Sequence, residues 1–167
     1  EQRAAEILVR WFGGSFESAL IRRLRIEDAV AYTAQASLLR RRHAASIIMC
    51  TTVATEDTQT ALTGMVETLA QARTTPPSPE QITQVKLHLN NAERTRNHSV
   101  GARLEYEMRR FVAGEADNAD VTPEFVAQLA ERLFAADTLH MLFSGDPNVA
   151  RKAANAAGLP RAKIVRF

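Results

Sequence analysis

Apolar side chains recur at helical spacing from the start of the chain and predict two successive helices. Gly13-Gly14 ends the first pattern, because a glycine pair terminates helices and permits tight turns. Ser15 is the predicted N-cap of the second helix, which we expect to end near Asp28. The apolar positions of the two helices are Ala4, Ile7, Leu8, Trp11 and Phe12, then Phe16, Ala19, Leu20 and Leu24.

Alternation of side-chain character follows and predicts an antiparallel pair of strands. Residues 30–39 form the first strand, and the residues expected on one face are Tyr32, Ala34, Ala36 and Leu38. The returning strand covers residues 46–53, which are rich in Ile, Thr and Val. Residues 40–43 form a basic turn that we interpret as a solvated surface. Cys50 lies in an apolar run, where we expect a buried thiol.

The middle of the chain predicts a helical region with a strong start signal. Residues 61–69 carry an apolar helical pattern, which the Thr74-Thr75-Pro76-Pro77 segment ends. Ser78-Pro79-Glu80-Gln81 combines an N-cap, a proline in the first turn and a Gln that can close a capping box, so a long helix begins there. The pattern weakens between Arg94 and Gly101, which predicts a bend or break.

The last part of the chain predicts a helix, a strand, a small helix and a final strand. Thr122-Pro123-Glu124 starts the first of these, with Val121 and Val126 as a hydrophobic staple. Residues 138–143 predict a buried strand and residues 162–167 the last one. The small helix between them follows Gly145-Asp146-Pro147 and ends at Gly158. Together the elements predict an α+β fold: a mixed, largely antiparallel sheet with helices packed on one face.

Length and charge narrow the class of protein. A chain of 167 residues, 46% of them hydrophobic, predicts a single domain over residues 1–167. The longest apolar run is far shorter than the roughly 20 residues that span a bilayer, so we expect no membrane span. The net charge is only +2 and 6% of the residues are aromatic, so neither electrostatic steering nor base stacking favours a nucleic-acid partner.

The sequence contains no recognisable catalytic or metal-binding motif. The four histidines belong to no H-x-x-E-H or H-E-x-x-H helix, so the ligand spacing of zinc hydrolases is missing. Cys50 lies in a predicted core strand, and no Gly-x-Ser-x-Gly elbow occurs. We therefore predict no catalytic residue, no metal site and no cofactor in this chain. The histidines are His43, His88, His98 and His140.

Two adjacent segments resemble the C-terminal domain of the pitrilysin, insulinase and mitochondrial-processing-peptidase family of zinc peptidases. Residues 12–20 are similar to the family's glycine-glycine segment, and residues 24–32 to its arginine and alanine-tyrosine segment. Arg25 and Tyr32 match the family's arginine and tyrosine at the same separation. The departures are Ile26, Ala29 and Val30, which stand where the family has glutamate, glycine and leucine.

The resemblance extends through residues 78–82, 121–126 and 144–147, and so covers nearly the whole chain. It implies a non-catalytic half of a zinc peptidase, closing over a peptide substrate opposite a zinc-bearing domain on the same chain or on a separate subunit. Family domains begin with a strand before the first helix, so the resemblance also implies a fragment of a larger peptidase that lacks its N-terminal strand. For bacterial members it implies the periplasm.

The resemblance assigns substrate binding to Arg25 and Tyr32, which would donate hydrogen bonds to peptide carbonyl oxygens. Arginine offers five donors in a fixed fork, and the tyrosine phenol adds a neutral donor on a rigid ring. From the residues alone, the alternative is that Arg25 pairs with Glu27 or Asp28 and that Tyr32 fills a core position. For the whole protein, the alternative is a structural or interaction subunit of the same fold without peptidase activity. An RNA-binding domain is a third, disfavoured reading that would require steeply salt-dependent binding.

Overall fold

The computed structural model describes residues 1–40, 45–96, 98–113, 121–135 and 139–159. Over these ranges the chain is an α+β fold of helices with one antiparallel strand pair, which confirms the predicted class. A π-helical turn (Arg22–Glu27) continues α2, and a short 3₁₀ turn (Thr55–Asp57) precedes α3. The elements are α1 (Gln2–Gly13), α2 (Ala19–Ile21), β1 (Ala31–Arg40), β2 (Ala45–Val53), α3 (Thr58–Thr74), α4 (Pro79–Arg96), α5 (Val100–Ala113), α6 (Pro123–Leu133) and α7 (Pro147–Ala156).

Helix α1 is the centre of the core. It packs against β1 and also against α4 and α6. Its apolar stripe faces the core as predicted: Ile7, Leu8 and Phe12 have no exposed surface, and Trp11 is partly buried. The ring of Phe12 meets that of Phe134, with centroids 4.8 Å apart and planes tilted by 45°. Each fully buried side chain of this kind stabilises the fold by about 1.5–3 kcal/mol. Helix α1 is therefore firmly held in the core and supports the residues at its two ends.

Arg3 joins the polar edge of α1 to α4. Its guanidinium donates to Glu6 at 2.9 Å, to Glu93 at 2.5 Å and to Asn90 at 2.8 Å. Burial alone lowers the pKa of Arg3, but hydrogen bonds to the two carboxylates outweigh it and raise that pKa above its ordinary value. Arg3 is therefore a structural arginine with a full set of partners.

The helix starts follow their sequence signals. Ser78 Oγ accepts from the backbone N–H of Gln81 at 3.3 Å, while Gln81 Oε1 accepts from that of Ser78 at 2.9 Å, which is the predicted capping box. Thr122 Oγ1 accepts from the N–H of Phe125 at 3.3 Å at the start of α6. Asp146 likewise caps α7, and Gly158, with φ of 69°, follows its end. These signals act between neighbours in the chain, so they were predictable.

The strand pair has the predicted antiparallel arrangement, and its register runs from Arg40 opposite Ala45 to Ala31 opposite Val53. Cys50, however, is exposed, which corrects the prediction of a buried thiol. Along β2 the half-buried residues alternate with exposed ones, and Cys50 lies on the exposed face, where its sulfur accepts from Gln35 Nε2 at 3.2 Å. The basic turn was predicted at residues 40–43; Arg40 is instead the last residue of β1, and residues 41–43 lie outside the described residues.

Two further predictions are wrong. The second helix begins at Ala19, with Ser18 rather than Ser15 before it, because the N–H of Ser18 donates to the carbonyl of Ser15 at 3.0 Å and closes a turn first. The described part of the predicted strand 138–143 is not a strand, and Leu142 is 93% exposed. An apolar run forms a strand only where another strand supplies backbone partners, and within the described residues only β1 and β2 pair. The predicted strand 162–167 lies outside the described residues.

Candidate functional site

Arg25 and Tyr32, the two residues selected from the sequence, meet at a shallow depression between the end of α1 and the start of β1. Its volume is about 380 Å³. Two arginines and a tyrosine face it, and none of the described residues that line it is acidic. The lining consists of Arg10, Gly13, Gly14, Ser15, Ile21, Arg25, Tyr32, Thr33, Ala34, Gln35 and Ala36.

Arg25 is held between two aromatic rings. Its guanidinium carbon lies 4.8 Å from the ring centroid of Phe16 and 5.0 Å from that of Tyr32. At exposed sites a cation over a ring is stabilised by about 0.5–1 kcal/mol. The rings of Phe16 and Tyr32 belong to residues that are 60% and 80% exposed, so the guanidinium is held at the surface. We call this arrangement of Phe16, Arg25 and Tyr32 the aromatic clamp.

The π-helical turn places Arg25 in the clamp. The N–H of Asp28 donates to the carbonyl of Arg23 at 2.9 Å, five residues back, which is the wide π-helical spacing. Leu24 is fully buried and anchors the turn in the core. Ala29 then has φ of 54° and reverses the chain into β1. Because that left-handed conformation suits glycine, the departure at Ala29 from the family's glycine leaves mild strain beside the site.

A β-bulge turns Tyr32 outward. Ala31 lies opposite Val53 and Ala34 opposite Thr51, so two residues of β1, Tyr32 and Thr33, face one residue of β2. Ala31 and Ala34 are both buried, whereas Tyr32 is exposed. Strict alternation predicted Tyr32 on the buried face with Ala34, and the extra residue of the bulge is the reason that this was wrong.

The carboxylates that could have neutralised Arg25 are paired elsewhere. Glu27 pairs with Arg22 at 3.4 Å, and Asp28 pairs with Arg23 at 2.9 Å. Arg25 has neither an ion pair nor a hydrogen bond to any of the described residues, and the hydroxyl of Tyr32 has no such partner there either. The alternative, in which Arg25 pairs with Glu27 or Asp28 and Tyr32 fills the core, is therefore not what the structure contains.

Sequence reasoning missed two residues of this site. Phe16 was assigned to an apolar stripe, because its spacing to Leu20 is helical, yet it precedes the helix and packs on Arg25. Arg10 was not singled out at all, although it lies on the last turn of α1 and lines the depression. The one signal in the sequence was a long cation in the last turn of the predicted helix, three residues before Gly13.

Metal binding has no support in the described part of the chain. Among residues 1–40, 45–96, 98–113, 121–135 and 139–159, no group of three or more His, Cys, Asp or Glu side chains could hold a metal ion. Within the same ranges, no helix combines the length and the apolar character that crossing a membrane requires. The chemistry that the described site offers is therefore hydrogen bonding and charge pairing by its arginines and its tyrosine.

Comparisons with known proteins identify the family of the chain. Residues 1–89 match the model of a protein family described as the peptidase M16 inactive domain. This match covers both segments, 12–20 and 24–32, that carry the resemblance to zinc peptidases, and it confirms that resemblance. No curated protein matches the chain significantly in sequence.

Two solved structures share the fold. One is the peptidase M16 inactive domain from Pseudomonas fluorescens, with a TM-score of 0.68 and 12% sequence identity, over 78% of this chain and 34% of that chain. The other is a conserved protein from Enterococcus faecalis V583, with a TM-score of 0.65 and 21% identity, over 77% of this chain and 32% of that chain. The present chain thus spans about a third of the length of the structures that it matches.

Proposed function

This chain belongs to the family of the peptidase M16 inactive domain, and we propose that it is the substrate-holding, non-catalytic half of a zinc peptidase. A zinc-bearing domain, on the same polypeptide or on a separate subunit, lies opposite it and closes over the peptide. The observation that carries the proposal is the aromatic clamp, which presents the hydrogen-bonding edges of Arg25 beside a concavity. The zinc belongs to the partner domain in this proposal.

The clamp suits a peptide main chain. Peptide carbonyl oxygens are strong acceptors, and an extended peptide presents one every residue. Arg25 can donate two parallel hydrogen bonds from one edge, and its contacts with two rings already restrict the side chain, so little side-chain entropy is lost when a peptide binds. The hydroxyl of Tyr32 adds a neutral donor on the same side. Both donors lie at the ends of secondary-structure elements that the core holds rigid.

Kinetics of variants test this role in the chain assembled with its zinc-bearing domain. Because a hydrogen bond from a charged donor contributes about 1.5–3 kcal/mol, we expect Arg25→Ala to lower kcat/KM on peptides by roughly 10- to 100-fold. Tyr32→Phe removes only the hydroxyl and keeps the ring of the clamp, so a loss of about 3- to 10-fold is expected. The split between kcat and KM shows whether each donor acts in the transition state or on the bound substrate.

The matched control is Arg151→Ala. Arg151 is exposed on α7 and is not one of the residues that line the depression. We expect full activity from this variant. If Arg25→Ala and Tyr32→Phe are as active as Arg151→Ala, the two residues do not bind substrate. If the assembled protein hydrolyses no peptide although the two domains associate, the alternative of a structural or interaction subunit is correct.

A further inference from the structure

Arg10 is a cation without a counter-charge in the depression. Its side chain is half-buried, and its Nε is fully buried with no hydrogen-bond partner. No ion pair links it to another of the described residues. A basic residue in the last turn of a helix interacts favourably with the helix dipole, which accounts for an arginine at this position. That interaction does not supply a hydrogen-bond acceptor for the buried N–H. Buried N–H groups are normally hydrogen-bonded, so the missing partner of Arg10 Nε requires an explanation.

Gly14 makes room for Arg10. A Cβ at position 14 would lie 2.8 Å from both Cα and Cδ of Arg10, closer than carbon atoms approach without displacement. Gly14 itself has φ of −102°, a value open to any residue, so backbone conformation does not require glycine there. The glycine leaves room for both the backbone and the side chain of Arg10 at the end of α1.

Among the described residues, the lining of the depression has two cations and no acid. Arg10 and Arg25 both line it, and neither contacts a carboxylate of the described residues. Two arginine side chains facing one small concavity repel each other until an anion lies between them. Arginine recognises carboxylates in particular, because its planar fork matches their two oxygens.

We infer that Arg10 and Arg25 form a carboxylate subsite, so that the peptide segment that lies in this depression carries an acidic side chain or its own C-terminal carboxylate. The inference rests on the proposed function, because it specifies the chemistry of the peptide that the clamp holds. In this subsite Arg25 contributes from the clamp and Arg10 from the last turn of α1.

The test uses the chain assembled with its zinc-bearing domain and a defined set of peptides. The probes are short quenched-fluorescent peptides of Ala, Leu and Phe in which a single Glu is moved along the chain, each with a Gln twin. A parallel pair has a free or an amidated C-terminus. We expect one Glu position, or the free C-terminus, to raise kcat/KM at least about 10-fold over its neutral twin, mainly through KM. The responding pair identifies which carboxylate occupies the subsite.

Variants then connect the preference to Arg10. In Arg10→Gln the ratio of acidic to neutral twin should fall to about 1, while Arg10→Lys keeps part of it. Arg151→Ala should keep the full ratio, and melting temperatures confirm folding. The inference is overturned, and the proposed function stands, if wild type cleaves all twins equally while Arg25→Ala still loses activity. It is also overturned if the preference persists in Arg10→Gln. If Arg25→Ala is fully active, both fail.

Discussion

Two arginines of the same π-helical turn, Arg23 and Arg25, have opposite surroundings. Arg23 donates to Asp28 at 2.9 Å and to Glu67 of α3 at 2.8 Å, so its charge is neutralised and it joins the turn to the next helix. Arg25 contacts two aromatic rings and none of the described carboxylates. Residue type and position are nearly the same for both. What separates a structural arginine from a candidate ligand-binding one is a fixed counter-charge, which only the folded structure reveals.

A glycine allows close packing on each side of the π-helical turn, but a side chain would meet different neighbours at the two positions. On the α3 side, a Cβ at Gly64 would lie 2.8 Å from Oδ2 of Asp28 and 3.0 Å from Cδ2 of Leu24, which are side-chain atoms. On the side of the depression, a Cβ at Gly13 would lie 2.7 Å from Cβ of Ala36 and 2.8 Å from its backbone nitrogen. The close packing of α1 on β1 therefore depends on Gly13 more strictly than the ion pair depends on Gly64.

The largest expected effect comes from testing these two glycines. Gly13→Ala should destabilise the chain by about 2–3 kcal/mol, because β1 cannot move away from α1 without opening the core. Gly64→Ala should cost about 1 kcal/mol, since side chains can shift and alanine is the better helix former. Urea unfolding of the two variants measures both values. Equal losses would mean that the two sides of the turn are packed alike, and the comparison would fail.

The next effect separates the two arginines by stability. Arg23→Ala should cost about 1–2 kcal/mol, because it leaves Asp28, whose side chain is only 15% exposed, without its cation. Arg25→Ala should lower the free energy of unfolding by less than about 1 kcal/mol, because exposed cation–π contacts contribute no more than this. Activity should show the reverse order once each variant is corrected for its folded fraction. An Arg25→Ala variant as unstable as Arg23→Ala would make the clamp a structural feature.

The sequence predicts those features of the fold that depend on neighbouring residues better than those that depend on contacts between distant parts of the chain. The helix starts at Ser78 and Thr122 were predictable, because each cap bonds a backbone group three residues away. The outward turn of Tyr32 was not predictable from alternation, because the bulge depends on register with β2. Arg25 and Tyr32 were selected by resemblance alone. Arg10 was missed because a missing partner is a property of three-dimensional packing.

The smallest expected effect concerns the hinge between the turn and β1, at Ala29. Its φ of 54° is unfavourable for a residue with a Cβ, whereas glycine adopts it freely. Ala29→Gly should therefore stabilise the chain, by about 0.5–1 kcal/mol after the larger conformational entropy of unfolded glycine is subtracted. Ala70→Gly, at an exposed position inside α3, is the matched control and should destabilise by about 1 kcal/mol.

The two glycine variants carry the same chemical change with opposite expected signs, so urea unfolding of the pair isolates the conformational effect at Ala29 from the general cost of glycine. Activity adds a second reading. Because Ala29 lies between Arg25 and Tyr32 in the chain, strain there can hold the two halves of the clamp together. If Ala29→Gly is more stable and equally active, the strain has no part in the site. If Ala29→Gly is more stable but binds peptide more weakly, the strained residue positions the clamp. In that case the backbone on the depression side of the turn is strained, whereas the α3 side is not.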